Sequence, residues 1–553
     1  MNINANSRFS SVPQVMNRRS KFDISNSYKT SFNVGDLIPF HYEEVLPGDT
    51  FSIDTNILCR MQPLVTPIMD DVYLDVYYFF VPNRIVWDHW KEFMGENTTS
   101  AWYPTTEYNV PHVKVDSAHS PGFGTCADYF GIPINQPNAE FTYSQLPFRA
   151  YAEIWNEWFR DENLQDPVLV DKGDSDVPYS NQTTYGGSLL KVNKYHDYFT
   201  SCLPEPQKGP DVTLPIQDYA PVYSVDPVMV DSLKKTYPVV ENYVTPTDGS
   251  TADQVKNLNL QTGEIVKGSH LSMSTGSKGI DSGRMHVAFS NLIADLNATT
   301  SATINSLRLA LATQSFYEKN ARGGTRYREL LKSHFNVTSP DGRQQVPELL
   351  NYNRIDININ QVVQNSASTD DSPLARQAAY CLTADADNSF TKSFTEHGMV
   401  IGVMCARYKH SYYQGLNKRF SRRTMFDYYF PVFANLGEQP VLNKEIYVGA
   451  KDKNEEVFGY QEAYADYRYH PDIFTSEMRC NYPQSLDVWH LGDNYESLPS
   501  LSPSWIQEDK SIMDRVLVVS SKNSNQLFCD MYIKNTAVRV MPMFSIPGLP
   551  RTL

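Results

Sequence analysis

The chain has 553 residues, of which 41% are hydrophobic, 20% charged and 12% aromatic. That is too apolar for a disordered chain, while a mean hydropathy of −0.44 is too polar for a membrane protein. Sixty-three acidic residues against 48 basic ones leave a formal charge of −15, so any binding of nucleic acid needs a local basic patch.

Tyr (35), Pro (34) and Gly (27) are abundant, a mix that favours β-structure with long loops over a helical bundle. Length alone predicts roughly three or four domains at about 150 residues each. The longest apolar runs, such as 400–406, are far short of a membrane span. The seven cysteines are widely spaced with no C-x-x-C, which argues against a zinc module and suits free thiols. The start, Met1-Asn-Ile-Asn-Ala5, has neither a charged nor an apolar leader segment, so no secretory signal is expected.

Residues 1–35 form a basic, Ser/Asn-rich lead: Arg8, Arg18, Arg19, Lys21 and Lys29 face only Asp23 within its first thirty positions. It reads either as a solvated terminus or as an arm lying on a polyanion or a neighbouring subunit. A strand follows, with Phe51, Ile53, Thr55, Ile57 and Cys59 alternating against polar residues. The near-continuous apolar run 72–81 (VYLDVYYFFV) predicts a second strand covered on both faces. Two more strands are predicted near the far end, 512–520 and 527–540. First and last strands then come together in one sheet system with insertions between.

Three helices are predicted. Phe148, Tyr151, Ala152, Trp155, Trp158 and Phe159 make an aromatic stripe at helical spacing. Ile304, Leu307, Leu311 and Phe316 make another, stopped by Arg322-Gly-Gly324; a third runs from Tyr327 to Phe335. Residues 160–290 differ: Pro recurs from 167 to 246, and 244–287 lacks Phe, Tyr and Trp entirely. Such a segment builds little core and reads as an exposed excursion. No internal repeats are present.

No P-loop, dinucleotide, serine-hydrolase or zinc-protease motif occurs. Asp171, Asp174 and Asp176 have the wrong spacing for a calcium loop and read as a solvated acidic turn. Glu153, Glu157, Asp161 and Glu162 read as an exposed helix face, not as a general acid and base.

One segment carries a distinct charge. Arg407, Lys409, Lys418, Arg419, Arg422 and Arg423 fall within 403–426, which contains no Asp or Glu. Tyr408, Tyr412, Tyr413 and Phe420 are interleaved. Cations that track phosphates and rings that stack unpaired bases are what single-stranded nucleic acid needs. The alternative is a subunit interface in which the arginines pair with acidic neighbours.

Several strings resemble one family. They are Ile68-Met-Asp-Asp71 with Phe79-Phe-Val-Pro-Asn-Arg84, and Leu146-Pro-Phe-Arg-Ala-Tyr151 with Asn156-Glu-Trp-Phe-Arg160. Ala321-Arg-Gly-Gly-Thr-Arg-Tyr327 with Ser339-Pro-Asp341, and Tyr460-Gln-Glu-Ala-Tyr-Ala-Asp-Tyr-Arg-Tyr469, follow in order. Together they resemble the major capsid proteins of the Microviridae, small icosahedral single-stranded DNA phages, and most closely those of gokushoviruses. The excursion at 160–290 matches least well.

The resemblance implies a mainly β fold: a single eight-stranded viral jelly roll over 36–553 with large loop insertions and a few helices, overruling the length-based domain count. The insertions are expected at about 160–290, as a surface protrusion, and at about 300–400. It implies a virion protein, assembled in the host cytoplasm, of which sixty copies close a T=1 shell around circular single-stranded DNA. A small basic packaging protein and a host receptor are the further partners implied. No enzyme activity, cofactor or membrane insertion is expected; calcium at subunit interfaces stays open. The basic lead, with Arg18 and Arg19, and the 407–423 strip would face the DNA. The aromatic-free stretch, with Asp248, Gly249, Lys267, Ser269, Lys278 and Asp281, would form the host-contacting tip. A carbohydrate-binding, lectin-like jelly roll is the alternative reading.

Overall fold

The computed structural model describes residues 18–98, 100, 106–135, 140–213, 304–363, 365, 374–375 and 377–544, with six three-residue strands between 222 and 294. Eight strands form the frame: β1 (Asn26–Phe32), β2 (Ile38–Val45), β3 (Thr50–Met61), β4 (Val72–Pro82), β5 (Glu348–Asp356), β6 (Thr383–Ser393), β7 (Gly398–Tyr408) and β8 (Leu527–Arg539). One sheet has the order β1-β8-β3-β6, with Ser20–Asp23 also on β8; the other has the order β5-β4-β7-β2. Every one of these pairings is antiparallel. Consecutive strands of the eight switch sheets except β4 and β5, which pair within one, and that is the jelly-roll order.

Alternation explains the packing. In β3, Phe51, Ile53, Ile57 and Cys59 point inward and meet Leu74, Val76 and Tyr78 of β4 in one core between the sheets. The Thr55 and Tyr78 hydroxyls, 2.6 Å apart, satisfy each other across it. Phe79 and Val81 face the other way and pack with Met399, Ile401 and Val403 of β7 beneath α1 (Leu146–Ile154). The run 72–81 is therefore covered on both faces, as its composition predicts. Full burial of such a side chain is worth about 1.5–3 kcal/mol.

α1 continues as one wider π-helical turn, Trp155–Phe159, along the predicted aromatic stripe. α2 (Ile304–Gly323) and α3 (Tyr327–Phe335) also fall where predicted. Two expectations change. Residues 512–520 are not a strand: α4 (Ser511–Val516) buries Met513 and Val516, whose i, i+3 spacing is helical despite the valines. The basic lead is not wholly an arm, because 20–32 pairs along β8.

The chain divides into two compact units: Met1–Gly209 with Tyr317–Leu553, and Pro210–Phe316. Residues 160–209, expected in the excursion, belong to the first unit and bury Val192, Phe199 and Leu203. Residues 348–393, expected in a second insertion, supply β5 and β6. In the second unit Val222–Ser224 pairs with Leu292–Ala294, Val228–Val230 with Lys235–Tyr237, and Glu241–Tyr243 with His286–Ala288. All seven cysteines are free, and all but Cys480 are buried. No helix among the described residues is long and apolar enough to cross a membrane.

Candidate nucleic-acid interface

The basic strip begins at the end of β7, where the register sets Cys405 opposite Asp75 of β4. Asp75 is fully buried. Arg407 pairs with it through two nitrogens, one at 3.1 Å, while Arg354 donates at 2.9 Å and the Tyr195 and Tyr352 hydroxyls at 2.7 and 3.1 Å. Burial alone would raise this carboxyl, but Arg407, Arg354 and Tyr195 outweigh it and hold it below the usual carboxylate range. The Tyr195 ring lies within cation–π distance of both guanidinium groups, at 4.1 and 4.4 Å. Arg407, only 12% exposed, is thus a core ion-pair partner and not a phosphate ligand.

Beyond β7 the chain dives inward. Lys409 stays exposed and lies 3.6 Å from Asp472. His410 is buried between Asp493 (2.7 Å) and Glu508 (2.8 Å), with Lys194 3.5 Å from Asp493. Burial would lower the imidazole, yet the two carboxylates dominate and push it up to about 9. Tyr412 and Tyr413 are buried; instead of offering open stacking faces they wall a cavity of about 260 Å³ also lined by Phe420, Lys418 and Tyr469. That overturns the expectation of exposed stacking at these two tyrosines. It follows from the packing of Tyr412 against Phe199 and of Tyr413 against Phe474.

A short 3₁₀ turn, Lys418–Phe420, brings the strip back out. Lys418 lies 3.9 Å from Glu445, and Arg422 is held by Asp466 with its guanidinium 4.2 Å from the Tyr467 ring. Arg419 donates to His470 at 2.7 Å and meets no carboxylate among the described residues; Arg423 is exposed with its side chain in no ion pair among them. Between these two sits Phe420, 81% exposed. Of the predicted strip, then, Arg419 and Arg423 carry charges that no described carboxylate offsets, and they flank in sequence the ring of Phe420, the interleaved aromatic that stays outward. Arg18 and Arg19 are exposed at the start of the described chain. Asp248, Gly249, Lys267, Ser269, Lys278 and Asp281 lie outside the described residues.

The carboxylates near α1 are not a solvated face. Glu153 pairs with Lys172, and Glu162 accepts from the Thr325 backbone N–H at 2.6 Å and from Lys208 at 2.9 Å. Glu162 so occupies the N-terminal end of α3, the place an anion would take, while Gly324 turns the chain at φ +87°. The Arg-Gly-Gly segment is a helix stop, as predicted. Asp171, Asp174 and Asp176 are exposed, as expected of a solvated turn, while Asp174 also accepts from the Trp87 indole and Asp176 from the His112 backbone N–H. Among the described residues no group of three or more His, Cys, Asp or Glu could hold a metal ion.

A family model described as capsid protein (F protein) matches residues 10–549. The chain is 41% identical to capsid protein VP1 of Bdellovibrio phage phiMH2K, over 98% of this chain and 97% of that protein. It is 39% identical to capsid protein VP1 of Chlamydia phage 1, over 98% of both, and to capsid protein VP1 of Spiroplasma virus 4, over 96% of both.

Proposed function

The chain belongs to the phage capsid protein (F protein) family, and we propose that copies of it close a T=1 shell of sixty around a circular single-stranded DNA genome. It is a structural protein of the virion and self-associates; it is not an enzyme. The observation that carries the reading is a match of about 40% identity along the full length of gokushovirus capsid proteins, joined to the jelly-roll strand order. A closed shell needs heterologous contacts whose rotation returns on itself, and rigid sheets with large insertions supply both stiffness and area.

Within that shell, Arg419, Phe420 and Arg423 are the best-placed residues of the strip to meet the genome. Two unpaired cations can each displace a counterion from phosphate, and the exposed ring between them can stack a base, worth about 1–3 kcal/mol. Lys409, Lys418, Arg18 and Arg19 would add weaker positive field. A chain at −15 cannot neutralise a genome unaided, which supports a small basic packaging protein as a second component. The polar, aromatic-free stretch around 248–283 is proposed as the host-contacting tip. Shortening it should spare particles and impair attachment to cells.

The test is nuclease-protected DNA per particle in the variant Arg419→Ala, Arg423→Ala. The expected result is normal folding with reduced DNA content; unchanged content would remove these arginines from the interface.

A further inference from the structure

Directly after the basic turn, the chain runs from Thr424 to Gly437 without a single Lys or Arg. The lone carboxylate there, Asp427, is turned back on its own backbone, accepting from the N–H groups of Arg423 (2.8 Å) and Thr424 (2.7 Å). What remains outward is apolar: Met425, Phe426, Tyr428, Phe430, Val432 and Leu436 are all exposed, Val432 to 79%. Single exposed apolar residues are ordinary, but seven large ones within twelve positions, Tyr429 included, are a concentration that soluble monomers rarely leave open.

This ledge is also pre-shaped. Two 3₁₀ turns, Met425–Asp427 and Pro431–Phe433, fold it back on itself, and the Phe426 and Phe433 rings meet at 5.9 Å. The Tyr464 hydroxyl donates to the Phe426 carbonyl at 3.2 Å, and the Tyr467 hydroxyl accepts from the Tyr429 N–H at 3.3 Å. A partner therefore meets an ordered face and need not order it first, which favours binding.

We infer that the ledge at 425–436 is a docking surface for a second copy of this chain, an assignment that rests on the shell reading above. Lacking cations, the ledge does not suit nucleic acid. With no Lys or Arg and its one carboxylate turned back on the backbone, the ledge is the kind of uncharged face on which two chains of net −15 can approach without the repulsion their charge imposes elsewhere. A specific protein contact hides about 1,200–2,000 Å² in total around an apolar, aromatic-rich centre, which is the character of this face.

Two experiments decide it. In particles formed by this chain expressed alone, benzoylphenylalanine in place of Val432 should photo-cross-link two copies into a product of twice the chain mass. Particles that form normally but yield no such product, or a link to a different protein only, overturn the inference. Separately, Val432→Asp with Leu436→Asp should leave the circular dichroism unchanged and lower particle yield at least tenfold. Normal particle yield from that variant overturns the ledge assignment alone. An unsubstituted chain that forms no particles overturns the shell reading, and the ledge with it.

Discussion

Arg407 on β7 and Asp75 on β4 form an ion pair inside the protein, the Arg407 Nε standing 3.1 Å from an oxygen of a carboxylate that solvent does not reach. Two tyrosines and Arg354 complete the shell of donors around Asp75. Removing one side of a buried pair so that the other charge is left alone costs about 3–5 kcal/mol. Asp75→Asn, which takes the carboxylate from the buried Arg407, should lower the stability of the subunit by that order in denaturant titration, and Arg407→Ala by less, because Asp75 keeps Arg354 and the two tyrosines. A variant as stable as the parent but poorer in packaged DNA would return Arg407 to the nucleic-acid interface.

His410 sets a pH limit on the fold. Its folded pKa, pushed up to about 9 between Asp493 and Glu508, stands above the ordinary imidazole value of about 6.5. The folded state holds the proton more tightly than the unfolded one. The resulting stabilisation is complete below about pH 6.5 and disappears as the pH rises through about 9. Lys194 remains as the second cation facing Asp493. Melting temperature measured from pH 6 to 9.5 should fall in the parent chain across that window. His410→Gln should start lower and lose this pH-dependent component, whereas parallel curves would contradict the assignment.

Gly324 is required by its backbone. At φ +87° a Cβ would stand 2.1 Å from a Glu329 carboxylate oxygen and 3.0 Å from Glu162. Gly324→Ala should cost about 1–3 kcal/mol. Glu162→Ala should cost a similar amount, because the Thr325 N–H loses its acceptor and the Lys208 ammonium its carboxylate partner. Thermal melts of the two variants check this; no change in either would mean the turn is held by other contacts.

What the sequence reveals about this fold depends on the range of the interaction involved. Alternation over Thr50–Met61, the two-faced run of β4 and the stripe of α1 are local patterns imposed by burial, and they are legible by period alone. α4 misleads because its flanking Leu517, Val518 and Val519 carry strand propensity, while the decision rests on Met513 and Val516 meeting the core. The charged strip is the sharper case. Its lack of Asp and Glu is real, yet Arg407, Lys409, Lys418 and Arg422 find Asp75, Asp472, Glu445 and Asp466 from distant parts of the chain. No spacing rule carries that pairing. The same is true of β5 and β6, whose place follows from partners β4 and β3 far upstream.

The central claim is that these sheets and loops are built to meet copies of themselves. Sedimentation of the purified chain, expressed alone and imaged in parallel by negative stain, addresses it most directly. The account predicts closed, uniform icosahedral particles of sixty chains. A protein that sediments as a single folded chain at every concentration and ionic strength tried would contradict it.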